Sequence, residues 1–154
     1  FDHLGESVGR LQARMSPAQA EAFGAFSREG GLGDEEFAAL FARVLPLYFH
    51  RPDPDTIGAM HAATHYAGSA CVVSMRDWLP AIDYRPRLQE IDVPTLVLCG
   101  RHDWVAPPES AGKVLAAHLP RAELVVFEES GHYPFIEESE RFLEVVGGWL
   151  RRLR

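Results

Sequence analysis

Pro94 to Pro108 reads PTLVLCGRHDWVAPP, and Ala122 to Pro134 reads AELVVFEESGHYP. Each stretch opens on a short apolar run and ends in turn-forming residues that carry a titratable side chain. Pro94 to Gly100 has the continuous apolar pattern of a strand covered on both faces, and Ala122 to Phe127 is a second strand. Between them, Pro107 to His118 reads as a helix. The loop Glu128 to Pro134 then leads into a last helix from about Glu137, whose apolar positions Phe142, Val146, Trp149, Leu150 and Leu153 fall on one stripe. Strand, helix, strand, helix predicts a parallel βαβ unit with a right-handed crossover, and hence an α/β fold class.

Upstream the pattern changes, and residues 1 to about 80 read as all-helical. Ser16-Pro17 opens a helix with a cap residue and a proline at its first position, and Gly30-Gly31 closes it. Asp34 starts the next helix, with Phe37, Leu40, Phe41, Val44 and Leu45 at helical spacing, and Pro46 kinks or ends it. Asp53-Pro54 repeats the cap-proline signal ahead of Thr56 to Tyr66, and a further helical stretch runs roughly from Ser69 to Leu79. The expected division is a helical unit over 1–82 and an α/β unit over 83–154.

Composition narrows the class. The chain has 154 residues, 47% hydrophobic and 24% charged, so a packed core is possible. A net charge of -7 argues against nucleic-acid or anionic-membrane partners. No apolar run is long enough to span a bilayer. The 2 cysteines, Cys71 in a helical stretch and Cys99 at a strand end, make no disulfide framework. Reduced thiols suit a cytoplasmic protein. The chain starts at Phe1 rather than Met, so processing or cutting is expected and a removed secretion signal stays open. Two parallel strands do not make a stable sheet, and purely parallel sheets need helices on both faces. At least one sheet edge is therefore expected to pair with strands outside this chain, on another chain or on the other part of a cut one.

Ligand sites in open α/β sheets lie beyond the carboxyl ends of the strands. Asp103 follows the first strand there, and His132 follows the second. Adjacent strands lie about 4.8 Å apart, so the loops leaving them can touch. Taken singly, Asp103 is an ordinary turn or cap residue and His132 an ordinary loop residue. Together, at equivalent ends of consecutive strands, they suggest a carboxylate that fixes an imidazole tautomer and a histidine that acts as general base. The nucleophile is missing.

The stretch IDVPTLVLCGRHDWVAPP, followed by LPRAELVVFEESGHYPFIEESERFLEVVGGWL, resembles the C-terminal end of an α/β-hydrolase. In that family one strand ends in G-x-x-D and the next leads to S/A-G-H, in the order acid then histidine. The resemblance covers about residues 83 to 154 and implies that Asp103 is the triad acid and His132 the triad histidine. The helical region before it resembles the cap inserted ahead of the acid-bearing strand. With IDYRPRLQEIDVPTL it is most similar to prolyl aminopeptidase-like members. The resemblance implies a serine hydrolase that cleaves a peptide, amide or ester bond without cofactor or metal. The partner it implies is the N-terminal part of the same hydrolase, carrying the G-x-S-x-G nucleophile. Two other readings stay open: an aspartate nucleophile, as in dehalogenase- or epoxide-hydrolase-like enzymes, and a non-catalytic binding module on the same scaffold.

Other residues carry weaker signals. Gly5-Glu6-Ser7-Val8-Gly9 matches G-x-S-x-G in form, but no strand precedes it, so Ser7 is read as an ordinary helix residue. Phe1 offers no side-chain nucleophile. His61 and His65, four apart, lack the glutamate of a metalloprotease helix and are read as packing or pocket lining. His102 is expected to face solvent or the loop. Trp104 and Tyr133 flank the two candidates and are candidate pocket residues, with plain packing the bland reading. Glu128, Glu129, Glu137 and Glu138 are expected to form a solvated face.

Overall fold

A computed structural model describes residues 2–25 and 32–153. The helix end expected at Gly30-Gly31 lies outside the described residues, as do Phe1 and the last residue of the basic tail. The chain divides into two compact units.

One unit is the α/β part: the segment through Leu11, residues Tyr48–Arg51, and Tyr84–Arg154. Strands β1 (Thr95–Gly100) and β2 (Ala122–Phe127) run parallel, in register from Thr95 opposite Ala122 to Gly100 opposite Phe127. A turn of π-helix (Pro108–Gly112) and helix α6 (Lys113–His118) make the crossover. Pro107 and Pro108 sit at the start of this turn, where a missing N–H costs no helical hydrogen bond. Leu88, Val97, Cys99 and Leu119 form the core of this unit, with Ala122 and Leu124 packed against it.

The sheet differs from the expectation of strands covered on both faces. Val97, Cys99 and Phe127 are buried, but Leu96, Leu98, Val125 and Val126 are only half-buried. The final helix (Ser139–Arg152) behaves likewise. Its stripe is real, and Phe142 meets the Phe127 ring at 6.0 Å, yet no residue of the helix is fully buried and Leu150 stays 51% exposed. Among the described residues, nothing covers the rest of this apolar surface.

The second unit is Gln12–Leu47 with Pro52–Asp83. It is all-helical. It contains helices α2 (Pro17–Ala25), α3 (Asp34–Val44), α4 (Pro54–Ala63) and α5 (Gly68–Val73), and a core of Leu32, Phe37 and Val72, joined by Leu40, Phe41, Tyr66 and Cys71. Ser16 caps α2 reciprocally: its hydroxyl accepts from Gln19 N at 3.3 Å, and Gln19 Oε1 accepts from Ser16 N at 3.0 Å. Asp53 accepts from Thr56 N at 2.8 Å at the start of α4. Asp34 starts α3 as expected, and its carboxylate accepts from Gly68 N at 2.8 Å.

Two segments depart from the expected 1–82 and 83–154 division. The first helix, α1 (Asp2–Gln12), lies mostly in the α/β unit, where Arg10 Nη1 donates to the Arg101 carbonyl at 3.0 Å. Tyr48–Arg51 belongs there too, because its backbone is hydrogen-bonded to the loop after β2.

Candidate active site

The strand ladder does not stop at Gly100. Arg101 N donates to Phe127 O at 2.8 Å and His102 N donates to Ser130 O at 2.9 Å. The two loops therefore leave the sheet side by side. Asp103 comes next and is only 4% exposed. Its two oxygens divide the work. Oδ1 accepts from Val105 N at 2.7 Å and Ala106 N at 3.2 Å, which is the bland turn-stabilising role. Oδ2 lies 2.9 Å from His132 Nδ1. An ionised carboxylate can only accept, so Nδ1 donates and the lone pair of the neutral ring sits on Nε2. Nε2 has no hydrogen-bond partner among the described residues, and the His132 side chain is 34% exposed.

Two glycines make this approach possible. A Cβ on Gly100 would overlap the Gly131 carbonyl oxygen and lie 2.5 Å from that of Ser130. A Cβ on Gly131 would overlap the Tyr48 carbonyl oxygen and lie 2.9 Å from His50 N. Backbone thus stacks on backbone through three segments, with no room for a side chain between them.

Trp104 and Tyr133 both lie beside the pair. They are joined by Tyr48, which the sequence reading passed over. The Tyr48 ring stands edge-on to Trp104 at 5.1 Å and to His132 at 5.6 Å, and lies nearly parallel to Tyr133 at 6.0 Å. Its carbonyl accepts from His132 N at 2.6 Å. Trp104 is 9% exposed and packs as a core residue, whereas Tyr133 is half-buried. Nothing in the local sequence marks Tyr48 as special beyond an aromatic pair between two prolines.

The acidic residues divide differently from the expected solvated face. Glu128 and Glu129 are exposed. Glu128 takes two hydrogen bonds from Arg101, each 2.8 Å, and these hold its carboxyl below the usual range. Glu129 pairs with Arg51. Glu137 and Glu138, in contrast, turn back onto the histidine loop, where backbone donors gather. Glu138 accepts from the Ser130 hydroxyl at 2.6 Å, Glu129 N at 3.0 Å and Arg141 Nη1 at 3.0 Å. Burial opposes its ionisation and is the largest single influence. The hydrogen bonds from Ser130, Arg141 and Glu129 together outweigh it and hold the carboxyl below its ordinary 4.5.

A carboxyl whose pKa falls on folding stabilises the fold above its unfolded value, and that contribution is lost as pH drops through the folded value. Below about pH 4.5 the wild type should therefore lose urea resistance faster than Glu138→Gln, which has no such proton to take up. Parallel declines of the two urea midpoints would show that Glu138 carries no such linkage.

The remaining candidates sit elsewhere. Ser7 lies inside α1, 5% exposed, with its hydroxyl 3.5 Å from the Val105 carbonyl, and the described residues before it are helical. His102 does not simply face solvent: its ring stacks on His50, with centroids 3.6 Å apart and planes 8° from parallel. Helix α4 ends at Ala63 and the chain turns extended at Thr64, so His61 and His65 share no helix face. His61 Nδ1 instead meets the Tyr66 hydroxyl at 2.7 Å. Burial pushes the Cys99 thiol pKa up, and the negative charge of Asp103 adds to the shift, so this sulfur stays protonated and unreactive. No helix among the described residues is long and apolar enough to cross a membrane.

A family model for the alpha/beta hydrolase fold matches residues 30–139. Among curated proteins, a proline iminopeptidase of Heyndrickxia coagulans is 39% identical over 75 residues, which is 49% of this chain and 25% of that protein. A pimeloyl-[acyl-carrier protein] methyl ester esterase of Neisseria meningitidis is 31% identical over 142 residues, 90% of this chain and 55% of that one. An esterase from Exiguobacterium antarcticum superimposes with a TM-score of 0.69 at 25% identity, covering 86% of this chain and 48% of the esterase. The chain thus spans from a quarter to about half the length of these relatives. With the family model covering well over half of its residues, and an acid and a histidine on adjoining turns past consecutive parallel strands, the chain belongs to the α/β-hydrolase fold family.

Proposed function

We propose that this chain supplies the acid and the base of a serine hydrolase. Asp103 orients His132. His132 Nε2 takes the proton of a serine hydroxyl as that oxygen attacks a carbonyl carbon, then gives the proton to the leaving group. The observation that carries this reading is the 2.9 Å hydrogen bond from His132 Nδ1 to a buried carboxylate, with Nε2 left unengaged.

In this reading the serine comes from a polypeptide segment beyond these 154 residues, on a strand that continues the sheet. The half-covered apolar faces of β1, β2 and the last helix support it, since parallel strands are stable when buried on both sides. The helical unit is proposed as the substrate-selecting cap. The proposed substrate is a peptide, amide or ester. Prolyl aminopeptidase-like specificity draws its support from the iminopeptidase relative, and ester cleavage from the esterases. Two free thiols fit a reducing, cytoplasmic setting.

Intact-mass measurement and N-terminal sequencing of the native protein, with whatever polypeptide accompanies this chain, test the reading. A strand–G-x-S-x-G–helix segment is the expected finding. A companion with neither serine, cysteine nor aspartate at that elbow would favour a non-catalytic module instead.

A further inference from the structure

Glu137 ends a single helical turn (Pro134–Glu137) that starts two residues after His132. Its half-buried carboxylate collects three backbone N–H groups. Oε1 accepts from His50 N at 2.7 Å and Arg51 N at 2.9 Å, and Oε2 accepts from Gly131 N at 2.7 Å. Gly131 immediately precedes His132, whose own N–H goes to the Tyr48 carbonyl at 2.6 Å. The hydrogen bonds therefore close a circuit: Gly131 to Glu137, Glu137 to His50, along the chain to Tyr48, and from Tyr48 back to His132. The same strap reaches the acid loop, because the His50 ring stacks on His102, the residue before Asp103.

We infer that Glu137 is a positioning residue for His132: its carboxylate ties the histidine loop to the Tyr48–Arg51 strap and so fixes the aim of the imidazole. The inference rests on the proposed role of His132 for its catalytic consequence, but not for its structural content. Three donors converging on two oxygens need a carboxylate. An amide has one acceptor oxygen and brings two N–H donors of its own. Whichever way a glutamine sat, at least one backbone N–H would face an NH2 group. Charge-assisted bonds of this kind are also about twice as strong as neutral ones.

Glu137→Gln in the native protein, with its companion segment present, separates positioning from plain stability. Proton NMR of the His132 Nδ1–H reports the Asp103 hydrogen bond whether or not His132 is catalytic. Hydrolysis of 4-nitrophenyl acetate reports the chemistry. The Nδ1–H signal is expected to broaden away in Glu137→Gln, and kcat to fall by about 10²-fold while KM moves by no more than about twofold. An Nδ1–H signal unchanged in sharpness and exchange rate overturns the inference. Should the variant not fold, amide exchange in the unaltered protein decides: Gly131, His50 and Arg51 are expected to exchange slowly and together, and free exchange at any of the three overturns the inference. Full esterase activity in His132→Ala, alongside loss of the signal in Glu137→Gln, supports the positioning role and removes the catalytic reading instead.

Discussion

Asp103→Asn is expected to lower kcat by about four orders of magnitude while leaving the fold intact, if the proposed serine hydrolase follows the arithmetic of the serine–histidine–aspartate template. The fold survives because the amide keeps an oxygen for Val105 N and Ala106 N, the two donors that Oδ1 now serves. The activity does not survive because the NH2 group then faces His132 Nδ1 at the 2.9 Å position. A donor facing that nitrogen forces it to become the acceptor, and the ring proton moves to Nε2. The base then has no lone pair where the hydroxyl needs one. Circular dichroism and a urea midpoint close to those of the wild type, with kcat measured on 4-nitrophenyl acetate, check both halves. Near-full activity would remove Asp103 from its role.

Gly131→Ala is expected to act through the fold rather than the chemistry, costing at least about 3 kcal/mol, at the upper end of overpacking effects. The new methyl would overlap the Tyr48 carbonyl oxygen and crowd His50 N and the Phe49 carbonyl carbon, each at 2.9 Å. All three neighbours are backbone, so none can swing aside as a side-chain end would. The strap or the histidine loop must shift, and with it the 2.6 Å bond from His132 N to Tyr48. Gly147→Ala is the control. There the new methyl would meet only the flexible tip of the Arg151 side chain at 3.4 Å, and alanine is the better helix former by about 1 kcal/mol. Urea unfolding of the two variants should give midpoints on opposite sides of the wild type, or nearly so. Wild-type stability in Gly131→Ala would mean that the backbone stack is looser than described.

The strands, the crossover and the acid–histidine pair were legible because each rests on local chemistry. A short apolar run flanked by Gly and Pro has few alternatives to a strand, and Asp103 and His132 sit at fixed offsets from two such runs. Helix starts with a proline and a hydroxyl or carboxylate cap, Ser16-Pro17 and Asp53-Pro54, were legible for the same reason. The strap was not. His50 and Glu137 are 87 positions apart, and what the strap offers the Glu137 carboxylate is backbone N–H that every residue but proline possesses. Glu137 and Glu138 looked like a solvated face because an acidic pair carries the same letters whether it meets water or backbone N–H groups. The spacing of four between His61 and His65 would put both rings on one face only while a helix lasts, and α4 stops at Ala63.

Reaction of the native protein with a fluorophosphonate, followed by mass-spectrometric mapping of the adduct in the wild type and in His132→Ala, tests the central claim most directly. The expected result is one phosphonylated serine outside residues 1–154, formed rapidly in the wild type and lost in His132→Ala. An adduct on Ser7, or one that forms equally fast without the His132 imidazole, would contradict it.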